Sequence, residues 1–179
     1  MSFREIKLQP LTPGEKSMAK SHALLVDSYS GEEGLTNKAM KRPSYELLVI
    51  GFGAEIAVCK YFNVYWEPVI GDDQGIDFML NGLIVDIKSS DQHKYLMAPS
   101  HKKMKSDIYM SVYFKENVYT VMGWATKEEF EKASVKMMAC STRYILKCYL
   151  HDIEPPVPTE RVDGFKERLQ KIGGSIVYT

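Results

Sequence analysis

The chain has 179 residues, 45% hydrophobic and 26% charged, with 23 basic side chains against 23 acidic ones. That size and balance suit one globular domain, residues 1–179, and exclude a disordered tail, a collagen-like fibre, a disulfide-dense miniprotein and a histone-like polycation. The three cysteines lack CxxC spacing, which fits a reducing cytoplasm; no apolar run suits a secretory signal or a membrane span, so no membrane partner is expected.

Thr12-Pro13-Gly14-Glu15 predicts a helix start, with Thr as cap, Pro in the first turn and Glu three residues after the cap. The helix is expected to run to residue 28, and 30–42 reads as a polar loop. Ser44 is placed to cap a second helix over 45–62, apolar enough to be buried. Residues 64–69 are β-branched and aromatic and predict a strand. Segments 76–80 and 83–89 flank Asn81-Gly82 and predict a hairpin. Residues 93–106 are polar and basic and read as a loop. Two more strands are expected over 107–114 and 118–124. Thr126-Lys127-Glu128-Glu129 predicts a second capping box, opening a helix to 139. A strand over 144–150, a proline-rich connection, a helix over 163–172 and a strand over 175–178 complete the reading. The order predicts an α/β fold, a central mixed β-sheet flanked by helices.

The hairpin is where chemistry concentrates. A two-residue turn at Asn81-Gly82 pairs Leu80 with Leu83 and Phe78 with Val85. It then sets Asp77 opposite Asp86, with Cα atoms about 4.5 Å apart. Lys88, two residues on, shares their face, and the other face is wholly apolar. Opposed carboxylates repel, so the pair calls for full solvation, a shared proton or a cation between them. Carboxylate oxygens suit Mg²⁺ or Mn²⁺. The bland alternative is a solvated strand face with an ordinary salt bridge.

Glu55 is the second anomaly, the one charge in the thirteen residues Leu47-Leu-Val-Ile-Gly-Phe-Gly-Ala-Glu-Ile-Ala-Val-Cys59. A carboxylate there must reach solvent, find a partner or bind a metal. Glu46 projects from the opposite side of the helix, which leaves Glu55 as the candidate third ligand.

Glu55 in a buried helix, then Gly75-Ile76-Asp77, then Asp86-Ile87-Lys88, resembles the PD-(D/E)XK nuclease superfamily. Ile76-Asp77 departs from that family's Pro-Asp pair but keeps the carboxylate. The resemblance covers about residues 45–139. It leaves the N-terminal helix and the C-terminal extension, outside a core of about 45–150, unexplained. It implies a restriction-endonuclease-like fold and metal-dependent hydrolysis of phosphodiesters. Asp77 and Asp86 would hold Mg²⁺ or Mn²⁺, with Glu55 and the backbone carbonyl of Ile87 as further ligands. Lys88 would activate the attacking water. The implied partner is nucleic acid, with DNA as the leading substrate, in phage or bacterial DNA processing. Many such enzymes act as dimers, rings or parts of larger complexes.

Lys94, Lys102, Lys103 and Lys105 form a basic stretch after the site, suited to phosphate contact or simply to a solvated loop. The alternative to an enzyme is an inactive nuclease-fold module that binds nucleic acid or serves assembly.

Overall fold

The structure, a computed structural model, describes residues 5–32, 44–68, 76–80, 83–94, 96–99, 105–133, 135–136 and 142–145. Its elements in chain order are β1 (Ile6–Lys7), α1 (Pro13–Glu32), α2 (Ser44–Tyr61), β2 (Phe78–Leu80), β3 (Leu83–Ser90), β4 (Leu96–Pro99), β5 (Ile108–Lys115), β6 (Val118–Thr126), α3 (Lys127–Ala133), β7 (Val135–Lys136) and β8 (Thr142–Ile145). Five strands form a mixed sheet in the order β1-β6-β5-β3-β2, and three form a second sheet, β4-β8-β7. Among the described residues, only the β3–β5 pair is parallel in the larger sheet. The protein is therefore of the α/β class, with a mixed sheet and flanking helices.

Both predicted capping boxes form. Thr12 N–H donates to Glu15 Oε2 at 2.6 Å and Glu15 N–H returns a bond to Thr12 Oγ1 at 3.2 Å. Thr126 and Glu129 repeat the exchange at 2.8 and 3.2 Å. Such reciprocal bonds satisfy main-chain donors that a helix start leaves open. The turn after β5 has both central residues, Glu116 and Asn117, at positive φ, matching the right-handed strand twist. A bulge interrupts the β5–β6 ladder at Ser111/Val112, opposite Gly123, whose φ of 134° suits glycine.

Strand alternation divides the core. Val85, Ile87, Ile108, Met110, Val112 and Trp124 join Ala54, Ala57 and Val58 of α2 in the main cluster. Their sequence neighbours Tyr109 and Ala125 face the other way, onto Leu96 and Phe130. Helices α1 and α2 thus cover one face of the sheet, while α3 and β4 approach the other.

Several expected elements differ. The segment 64–69 is described to 68 and joins no ladder among the described residues. Asn63 turns the chain at φ 54°, Val64 N–H returns to Cys59 O, and Trp66 goes into the core instead of into a sheet. The expected loop 93–106 contains β4, which pairs with β8 some 40 residues later, a partnership no local pattern announces. The helix predicted to 139 is α3, ending at Ala133, because the next residues pair as β7 with β8. The first helix continues to Glu32, into the expected loop. Strand β1 went unforeseen, being two residues held by β6. The Asn81-Gly82 turn, the proline-rich connection, the helix over 163–172 and the strand over 175–178 lie outside the described residues.

Candidate active site

The hairpin register is the expected one, Leu80↔Leu83 and Phe78↔Val85, and it buries Phe78, Leu83, Val85 and Ile87 as predicted. The ladder stops at Phe78, however. Asp77 N–H donates to Val85 O at 3.0 Å, so the expected cross-strand pairing of Asp77 with Asp86 is not made. The main chain slips there by one residue, and the slip re-aims the side chain, as bulges do. The Asp77 carboxylate comes into line with β3 itself, where Oδ2 accepts the main-chain N–H of Ile87. In a strand a residue's N–H and C=O share one edge, so the Ile87 carbonyl faces the Asp77 side as well.

Asp86 is buried and Lys88 half-buried. Two residues apart on β3, they share a face, and Lys88 Nζ lies 2.5 Å from Asp86 Oδ1. This face carries Tyr109, the register neighbour of Asp86. The Tyr109 hydroxyl is raised above its usual range, chiefly by burial, and feels both Asp86 and Lys88; it accepts the Ser106 N–H at 3.1 Å.

Glu55 approaches from α2, on the Val85 and Ile87 side. Its Oε2 accepts the indole N–H of Trp66 at 2.9 Å. One turn further along α2, burial pushes the Cys59 thiol up to about 12, with help from the charges of Glu55 and Asp77. Cys59 therefore favours its protonated form at neutral pH and is a poor nucleophile.

Asp77 joins the two halves. It is half-buried at the sheet edge, and its carboxyl is held well above the usual range near 3.8. Loss of hydration is the largest cause, followed by the negative charges of Glu55 and then Asp86. The Ile87 N–H and the Lys88 ammonium oppose them without prevailing. The four residues singled out from the sequence thus share one electrostatic neighbourhood. Among these four, the charges of Glu55 and Asp86 outweigh the Lys88 ammonium at Asp77 and favour its protonated form.

Among the described residues, no three His, Cys, Asp or Glu side chains are grouped closely enough to hold an ion between them. Each carboxylate instead meets its own donor: Ile87 N–H for Asp77, Lys88 for Asp86, Trp66 for Glu55. The donor chemistry still fits a hard divalent cation. Mg²⁺ is commonly held by one or two carboxylates and completes its shell with water. Asp77, pressed by two like charges, is the carboxylate with most to gain.

Of the basic stretch, Lys94 is exposed and ion-paired with Glu5 at 3.1 Å, its ammonium 5.4 Å from the Tyr113 ring centroid. Lys105 is exposed. Lys102 and Lys103 lie outside the described residues. Trp66 was missed as a site residue. The available signal was Glu55 itself, a lone charge that needed a donor, but nothing local identified one eleven residues away.

No protein-family model matches this chain, and no curated protein matches it. Among the described residues, no helix is long and apolar enough to cross a membrane.

Proposed function

We propose that the chain is a restriction-endonuclease-like, metal-dependent nuclease that hydrolyses phosphodiester bonds of nucleic acid, with DNA as the leading substrate and the cytoplasm as its place of work. One observation carries the reading: the Asp77 carboxylate sits in the joint negative field of Glu55 and Asp86, with Lys88 beside it. Such a field is costly without a cation and useful with one.

Asp77 and Asp86 would hold Mg²⁺ or Mn²⁺, with the Ile87 carbonyl and Glu55 contributing directly or through water. When bound, the ion would supply Lewis acidity at the phosphate and lower the pKa of water. The chain's own residues do the rest. Lys88, steered by Asp86, orients the attacking water and stabilises charge developing on the phosphoryl oxygens. Asp77, anchored on the Ile87 N–H, would present its carboxylate to the cation beside β3. Lys94, Lys102, Lys103 and Lys105 would meet backbone phosphates.

The test is cleavage of a panel of supercoiled plasmid, linear duplex, single-stranded DNA, four-way junction and RNA, in EDTA, Mg²⁺ and Mn²⁺. Cation-dependent cutting that Lys88→Ala and Asp77→Asn both lose supports the assignment. Cutting unchanged by either variant sinks it.

A second reading keeps the fold without the reaction, as a nucleic-acid-binding or assembly module. The private donor that each carboxylate already has favours it. Nucleic-acid binding without cleavage of any panel member would select it.

A further inference from the structure

Glu55 stands on α2 in a stretch with no other charge, half-buried, and its Oε2 accepts the Trp66 indole N–H at 2.9 Å. We infer that Trp66 is a positioning residue, whose N–H fixes the Glu55 carboxylate in the orientation from which it serves the cation site. The inference rests on the metal-dependent reading proposed above.

The indole is itself held. Trp66 is buried, and its ring meets His22 of α1 edge-on at 5.6 Å and 87° and lies tilted against Phe52 of α2 at 6.3 Å. His22 in turn sits edge-on to Phe52 at 4.4 Å. Two rings, from α1 and α2, therefore hold the indole that donates. The segment bearing it is pinned where Asn63 reverses the chain and Val64 N–H reaches Cys59 O. A donor so confined does not follow a wandering carboxylate; it selects one orientation. Outer partners of this kind characteristically orient a metal's ligands.

A core tryptophan that merely fills space would lose stability on substitution without acting through Glu55. The two cases separate in a double-mutant cycle. Calorimetric titration with Mn²⁺ would be run on wild type, Trp66→Phe, Glu55→Gln and the double variant, each checked by thermal melting. Trp66→Phe keeps most of the ring and removes the N–H. Its expected effect is a loss of about tenfold in Mn²⁺ affinity, the lower end for outer-shell partners. In the Glu55→Gln background the same change should cost nothing further.

Wild-type affinity in Trp66→Phe overturns the positioning role, as does an equal loss in both backgrounds. Either result leaves the metal reading intact if Glu55→Gln itself weakens binding. No Mn²⁺ binding by wild type ends the metal reading and this inference together. Should Trp66→Phe fail to fold, Phe52→Leu replaces it, loosening the ring while keeping the N–H. A loss confined to the Glu55 background is then expected, and unchanged affinity overturns the inference.

Discussion

The Asp77 carboxylate accepts the main-chain N–H of Ile87, just outside the first residue of β2, where the hairpin ladder has already ended. That bond brings a side chain from one strand into line with the edge of the next. It sets Asp77 between Glu55, approaching with α2, and Asp86 on the opposite face of β3. A regular cross-strand pair would have put Asp77 beside Asp86 alone. The one-residue slip is what lets one carboxylate feel both of the others.

The slip has a consequence in pH. The folded-state pKa of Asp77 is raised well above 3.8, so its protonated form suits the fold. The stability this group contributes is fully present below its unfolded pKa and is lost as pH rises through its folded pKa. Without divalent cations, thermal stability should fall as pH climbs through that range. Asp77→Asn keeps an acceptor for Ile87 N–H and carries no charge, so it should melt higher than wild type at neutral pH and show a flatter pH profile. Added Mg²⁺ should raise the wild-type melting temperature at neutral pH and leave Asp77→Asn unmoved. A variant that melts lower than wild type across the whole range would refute this account.

Glu15 should behave in the opposite sense. Burial, the largest single effect, pushes its carboxyl up, but the Thr12 N–H and hydroxyl and the Lys60 ammonium together hold it below 4.5. A depressed carboxyl contributes stability above its unfolded pKa and loses it as pH falls through the folded value. Glu15→Gln should therefore lower the melting temperature at neutral pH, and the gap from wild type should close in acid. A gap that persists undiminished at low pH would assign the effect to something other than charge.

Lys88 has a structural duty besides its proposed catalytic one. Asp86 is buried, and the ammonium 2.5 Å away balances its charge while staying partly in water. Lys88→Met should abolish cleavage and cost about 2 kcal/mol in urea unfolding, between exposed pairs and fully buried ones. Adding Asp86→Asn should recover most of that stability without restoring cleavage. Full activity in Lys88→Met would remove the residue from the chemistry.

Much of this was legible from residue pattern. Thr12 with Glu15 and Thr126 with Glu129 announce their helices through local bonds. The Asn81-Gly82 pair predicts from sequence the register seen at Leu80↔Leu83 and Phe78↔Val85, and that register sorts Val85 and Ile87 into the core and Asp86 with Lys88 onto one face. The failures share a cause. β4 depends on β8, β1 on β6, and the early end of α3 on β7 pairing with β8, all long-range bargains between segments with weak local preference. Trp66 reads as a strand residue because its aromatic neighbourhood is real, but its fate is decided by Glu55 and the rings of His22 and Phe52. The Asp77 slip could not be counted from the turn, since counting assumes a regular ladder.

The last prediction concerns how closely α2 lies against the sheet. A Cβ built on Gly53 would stand 2.0 Å from the Tyr119 hydroxyl and 2.7 Å from the ring carbon bearing it. Tyr119 is buried on β6 with its ring centroid 4.6 Å from that of Phe114, so it has little room to retreat. Alanine is the better helix former by about 1 kcal/mol, which argues for stabilisation. Overpacking a filled core costs about 1–3 kcal/mol, and contact with a ring atom belongs at the upper end. The clash should win, so Gly53→Ala should destabilise by about 1–2 kcal/mol in urea unfolding. Tyr119→Phe removes the nearest atom but leaves the ring carbon, so it should rescue only part of the loss. The same shift of α2 would move Glu55, two residues on, relative to Asp77. Cleavage should therefore fall further in Gly53→Ala than its loss of stability explains, when assayed well below its melting temperature. Stabilisation by Gly53→Ala would show that α2 does not press on Tyr119 as described.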